Sequence, residues 1–363
     1  MSDANSATLA LQRAMPLTRL LDCGMDFADA QALLARTSAG QAWDEVAEAL
    51  AQAQLARAAR AEDAGHRVTA AEAQSAALAA LLFAQMAFNH DGPRKRALYD
   101  QLVAATRQLS ERSRGRMIRV EVPLGQDSQQ SPQSRHLVAW LLRPHDEPAR
   151  GTVLVFGGQS GWGVAYLPIA RALARRGLAT LLAEGPGQGE TRLRQGIHVD
   201  VDVPAAYSRF IDHIVADASL GAPGIWGNSV GGLWAASTAA ADARIRACCV
   251  NGGLAVPTLL PFRTFAEQAA AMLGSDDECA IRRNFERMRF GARGERIGCP
   301  LLVLHGGADP LVSLPDQQPF LDAAADATLR VWEDGEHTIY NHAAERTAFV
   351  ADWFADRLGA SGT

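Results

Sequence analysis

The chain has 363 residues, 48% of them hydrophobic and 21% charged, with 35 basic and 40 acidic side chains and a net charge of −5. That length points to two domains, or to one large domain with an insertion, and the apolar fraction excludes a wholly disordered chain. The acidic balance, with a pI near 6.0, argues against a nucleic-acid binder, which normally presents a basic face.

The N-terminal stretch from Met1 to Leu21 carries charges at Asp3 and Arg13 and has no continuous apolar run, so no signal peptide is expected. Nor does any segment reach the roughly 20 apolar residues that a membrane span needs. The cysteines (Cys23, Cys248, Cys249, Cys279 and Cys299) form no C-x-x-C pair, and sparse, odd usage fits free thiols in a reducing compartment. A cytoplasmic, soluble protein with no nucleic-acid or membrane partner is expected, and the sequence is compatible with a homodimer.

From about residue 8 to 112 the pattern is helical throughout. Ser38-Ala-Gly-Gln41 and Thr69-Ala-Ala-Glu72 match the capping box that satisfies the first free N–H groups of a helix. After Thr69, the residues Leu78, Leu81, Leu82, Met86 and Phe88 lie on one broad apolar face. Asp91-Gly-Pro93 is expected to stop that helix, and residues 96–109 to form the next. Residues 1–115 are therefore expected to form an all-helical domain.

At Arg116 the rhythm changes. Residues 117–122 and 136–142 alternate as strands do, which predicts an antiparallel pair joined by an exposed connection over 125–134. Short apolar runs follow at 152–156, 178–183, 224–226, 247–250, 301–304 and 328–332, each before a helical stretch. Strands buried on both faces have this composition because a parallel sheet carries helices on each side. Residues 116–363 are expected to form an α/β domain, with a helical insertion at 254–291.

Gly227-Asn-Ser229-Val-Gly231 lies between a short strand and a helical segment, the setting required of a G-x-S-x-G nucleophile elbow. The glycines allow the tight turn, and the following helix offers free N–H groups to a developing oxyanion. A serine hydroxyl needs a base to take its proton and an acid to orient that base. In chain order the candidates are Asp309, in the loop after the 301–304 strand, and His337, after the 328–332 strand. Asp334 and Glu336 are rivals for the acid, but their place beside the histidine suits capping of its loop. His305 is expected to pack structurally, and His342 falls outside H-E-x-x-H zinc spacing, so no metal is expected. The oxyanion hole needs the N–H of Val230 and one from an earlier loop. Gly157-Gly158-Gln159-Ser160-Gly161 is such a loop, with Gln159 N–H as the second donor, and it lacks the G-x-G-x-x-G spacing of a dinucleotide site. No cofactor is expected.

With these residues in place, the chain resembles the α/β-hydrolases that carry an N-terminal helical cap, and in particular the 2,6-dihydroxypseudooxynicotine hydrolase family, which includes fungal pigment enzymes that shorten polyketides by cutting a carbon–carbon bond. The resemblance rests on the helical first third with Phe88, Asp91 and Tyr99, on Glu184-Gly-Pro-Gly-Gln-Gly-Glu190, on the elbow, and on the Asp309/His337 pair. It implies an α/β-hydrolase fold with a helical lid, a small-molecule substrate, and substrate contacts from Ser160, Phe88 and Tyr99. Carbon–carbon hydrolases of this type carry an acid where this chain has Ser160, a group that cannot exchange a proton near neutral pH as a carboxylate does. The expected activity is hydrolysis at a carbonyl, of a carbon–carbon bond or an ester. Acyl transfer or thioester cleavage through the same acyl-enzyme, and a non-catalytic binding module on the same scaffold, are the alternatives.

Overall fold

The computed structural model describes residues 3–125, 135–145, 148–200 and 202–359; of the connection expected over 125–134, residues 126–134 lie outside them. The chain divides into two units, Met1–Met117 and Ile118–Thr363.

The first unit is helical: α1 (Asp3–Ala14), α2 (Leu17–Asp22), α3 (Phe27–Ser38), α4 (Trp43–Asp63), α5 (Arg67–Gln85) and α6 (Pro93–Arg112). Alanine serves packing here as well as propensity. Ala47, Ala51 and Ala58 of α4 and Ala70, Ala77, Ala80 and Ala84 of α5 are fully buried, and side chains this small let helix axes approach closely. The Trp43 indole donates to Phe83 C=O at 3.0 Å, tying the start of α4 to the end of α5. Arg94 of α6 reaches Asp44 at 2.9 Å and Glu48 at 2.7 Å on α4.

Neither expected capping box forms in this unit. Ser38 is the last residue of α3, because Gly40 (φ +93°) ends that helix with its N–H on Thr37 C=O. Thr69 lies inside α5, which restarts at Arg67 directly after the Gly65 stop (φ +76°). α5 also ends at Gln85, ahead of the expected Asp91-Gly-Pro93 stop, and Pro93 instead opens α6.

The second unit contains β1 (Met117–Pro123, beginning at the unit boundary), β2 (His136–Leu142), β3 (Gly151–Phe156), β4 (Ala179–Glu184), β5 (Ala222–Asn228), β6 (Ala247–Asn251), β7 (Leu301–Gly306) and β8 (Ala327–Trp332). They form one sheet in the order β1-β2-β4-β3-β5-β6-β7-β8. β2 runs antiparallel to β4, and the pairs from β4 through β8 are parallel. The helices are α7 (Leu167–Ala174), α8 (Gly189–Leu193), α9 (Val203–Ala216), α10 (Val230–Ala241), α11 (Arg263–Leu273), α12 (Glu278–Arg287), α13 (Leu314–Ala323) and α14 (Ala343–Leu358). α11 and α12 fall within the 254–291 segment.

β3, β4, β6 and β7 are buried along their whole length. β8 departs from the expected two-sided burial: only Trp332 is fully covered, because β8 ends the strand order and has a neighbour on one side alone. From β3 the chain passes to β4 on one side and later to β5 on the other. The loops after β3 and β5 therefore leave the sheet's carboxyl edge at the point where winding direction reverses, which is where open α/β sheets bind ligands.

Among the described residues, no helix is long and apolar enough to cross a membrane, and no cluster of three or more His, Cys, Asp or Glu side chains is arranged to hold a metal ion.

Candidate active site

Ser229 stands between the last residue of β5 and the first of α10 with φ 58° and ψ −135°, a left-handed geometry that costs a non-glycine residue about 1–3 kcal/mol. Its neighbours enforce it. Ser229 N–H donates to Asn251 C=O at 2.8 Å, and Ser229 C=O accepts from Gly232 N–H at 2.7 Å. A Cβ at Gly227 would lie 2.0 Å from Gly231 C=O, so the bend closes only with glycine there.

His337 meets this serine from a loop far along the chain. Its Nε2 lies 2.9 Å from Ser229 Oγ, and its Nδ1 lies 2.8 Å from Asp309 Oδ2. The other Asp309 oxygen accepts the N–H groups of Leu311 (2.8 Å) and Val312 (3.2 Å). With Nδ1–H donated to a carboxylate, Nε2 is left as the lone-pair nitrogen facing the hydroxyl. The Asp309 side chain is 1% exposed and that of His337 15%, so the acid is shielded while the imidazole keeps access to solvent.

The rival acids do not take the Asp309 position: the carboxylate on His337 Nδ1 is that of Asp309, and Asp334 pairs with His342 at 2.8 Å. His305 is buried with Nδ1 2.9 Å from Gln317 Oε1, as expected of a packed residue.

The histidine loop carries strain that its sequence does not announce. Thr338 (φ 53°) and Ile339 (φ 62°) are both left-handed, β-branched and buried. Thr338 C=O accepts from Asn251 Nδ2 at 3.1 Å and from the buried Arg346 Nη1 at 3.0 Å. Asn251 Nδ2 also donates to Asn228 Oδ1 at 2.9 Å, and Asn228 Nδ2 donates to Phe156 C=O at 3.1 Å. One buried network thus joins the ends of β3, β5 and β6 to the loop bearing His337.

Val230 is the first residue of α10, where a helix N–H has no intrahelical acceptor. The Gly157–Gly161 loop lies against it: a Cβ at Gly158 would sit 2.7 Å from Val230 N. Gln159 is buried, and its side-chain amide donates to Phe265 C=O of α11 at 2.7 Å. Ser160 is half-buried in the same loop. Phe88, half-buried beyond α5, and Tyr99, 2% exposed in α6, belong to the helical unit.

No family model matches the sequence. A curated relative, 2,6-dihydropseudooxynicotine hydrolase of Paenarthrobacter nicotinovorans, is 27% identical over 221 residues, 59% of this chain and 59% of that protein. Hydrolyase poxO of Penicillium oxalicum is 32% identical over 126 residues, 32% of this chain and 30% of that one. The matched region therefore spans under two thirds of either relative's own length. The crystal structure of 2,6-dihydroxy-pseudo-oxynicotine hydrolase superposes with a TM-score of 0.82 at 23% identity, covering 94% of this chain and 96% of that one. The chain has the α/β-hydrolase fold. AbyA5 shares it with a TM-score of 0.65 at 19% identity, covering 86% of this chain and 89% of its own.

Proposed function

We propose that the protein is a serine hydrolase acting at a carbonyl carbon of a medium-sized organic substrate through an acyl-enzyme. The observation that carries this reading is the chain of contacts from Asp309 through His337 to Ser229, at 2.8 and 2.9 Å. His337 takes the Ser229 proton as the oxygen attacks, and Asp309 holds the ring and stabilises the imidazolium that forms. The backbone N–H groups of Val230 and Gln159 receive the oxyanion. The imidazolium then protonates the leaving group, and water, activated by the same histidine, releases the acid.

The relatives' printed names support hydrolysis over the binding-module and acyl-transfer readings. Ser160, standing where carbon–carbon hydrolases of the resembling family carry an acid, favours an alkoxide leaving group and hence an ester. The second reading, carbon–carbon cleavage of a β-diketone or aryl ketone, draws on the family resemblance of the sequence. The same family resemblance would give the helical unit, with Phe88 and Tyr99, the part of substrate lid in both.

The test is a paired screen of aryl esters and β-diketones with the unaltered protein and Ser229→Ala. Ester or diketone turnover that falls at least ~10³-fold in the variant supports the reading, and an unchanged rate removes Ser229 from the mechanism. Diketone turnover without ester turnover reverses the preference for the ester.

A further inference from the structure

The Gly-Pro-Gly-Gln-Gly-Glu run contains a buried amide, Gln188, 1% exposed, that the proposed chemistry leaves unused. Its Nε2 donates to Gly157 C=O at 2.6 Å and to Gly158 C=O at 2.9 Å. Its Oε1 accepts the N–H of Gly185 and the hydroxyl of Tyr207, each at 3.2 Å. A side-chain amide has two hydrogens on nitrogen and two lone pairs on oxygen, and all four are matched. The arrangement fixes which way the amide faces, since a flip would set its oxygen against two carbonyls. Tyr207 is fully buried, and burial pushes its phenol pKa well up, so it remains a donor across the working pH range.

Both carbonyls belong to the loop assigned to the oxyanion. A trans peptide is planar, with its C=O and N–H on opposite sides. Drawing Gly158 C=O onto Gln188 therefore turns the Gln159 N–H away from Gln188. Gly158 brings no side chain to resist a flip of this peptide; within the loop its C=O also accepts the Gly161 N–H at 3.0 Å, and Gln188 supplies the restraint from outside the loop.

We infer that Gln188 is a positioning residue that holds the Gly158–Gln159 peptide in the orientation presenting Gln159 N–H to the oxyanion. The inference rests on the hydrolase reading above. Without Gln188 the Gly158 carbonyl keeps the Gly161 N–H alone, the hold on the peptide weakens, and loss of one of two oxyanion donors costs about 10²–10³-fold in turnover in sites of this type. Because the donor acts on charge that develops only in the transition state, kcat falls while KM holds.

The experiment compares the unaltered protein with Gln188→Leu and Tyr207→Phe. It measures kcat and KM on p-nitrophenyl butyrate, the rate of Ser229 labelling by a fluorophosphonate, and the thermal midpoint. Gln188→Leu should lose about 10²-fold in kcat and in labelling rate at unchanged KM. Tyr207→Phe, which keeps the ring packed against Phe156 (centroids 4.1 Å apart) but removes one bond to Gln188, should show a smaller fall of the same kind. Should Gln188→Leu fail to fold, Tyr207→Phe decides. A lowered thermal midpoint with kcat and labelling unchanged in the folded variants overturns the positioning role and leaves the hydrolase reading standing. Absence of labelling in the unaltered protein overturns both.

Discussion

At the scale of single residues, the proposed chemistry depends on Asp309 as an orienter. Its two oxygens are divided between His337 and the Leu311 and Val312 N–H groups. Asp309→Asn keeps the shape but sets an amide against Nδ1, which favours the wrong tautomer. Turnover should fall about 10³–10⁴-fold with the circular dichroism spectrum unchanged, and a fall of only a few-fold would deny Asp309 this role. Thiol reactivity gives a second residue-level expectation. Burial pushes the Cys248 and Cys249 thiols well up and Cys299 to about 11, whereas Cys279 is exposed on α12. Iodoacetamide at pH 8 should alkylate Cys279 in the folded protein and spare those three; early modification of Cys248 or Cys249 would contradict their burial. The serine, acid and histidine were legible because each sits at a strand's end beside glycine or in a short polar loop. Asn251 and Gln188 were not, because their partners are 87 and 31 positions away and no local pattern records such pairings.

At the scale of elements, the loop after β8 is held in a conformation that its own residues disfavour, and the network through Asn251 offsets that cost. Asn251→Ala leaves Asn228 Oδ1 without its buried donor and removes one of the donors to Thr338 C=O. Stability should fall by about 1–3 kcal/mol, read as a lower urea midpoint; an unchanged midpoint would mean that the loop holds itself. The turn between α9 and β5 carries a pH-dependent contribution. The Ser219 hydroxyl, with Arg143 and the Ser219 N–H, holds the Asp217 carboxyl down at about 2, below its usual 3.8. As pH falls, the unfolded chain takes up this proton first, so the contribution is present above the ordinary carboxylate range and is lost as pH approaches 2. The stability difference between the unaltered protein and Asp217→Asn should therefore be present at pH 6 and vanish near pH 2. A difference independent of pH would contradict it. Element type was legible for the strands because their apolar runs are too short for helices and each precedes a helical stretch. Helix starts in the first unit were not, since Ser38 and Thr69 carry a cap's chemistry at places where Gly40 and Gly65 set the breaks. The capping box that does form, Ser313 N–H on Asp316 Oδ2 at 2.8 Å, opens α13, where Pro315 at the helix start was an available signal.

At the scale of the whole molecule, the change of rhythm near Arg116 marks the passage from an alanine-packed helical unit to a sheet that gathers distant loops at one edge. Strand order itself was beyond the sequence: the switch between β3 and β5 is a property of tertiary packing, and no single strand's composition encodes it. In the proposed mechanism this edge makes one serine nucleophilic. That nucleophilicity is tested most directly by treating the folded protein with a fluorophosphonate and mapping the adduct by peptide mass spectrometry. One adduct is expected, on the peptide carrying Ser229, formed at a rate that collapses in His337→Ala. An unmodified Ser229, or labelling that is indifferent to His337, would contradict it.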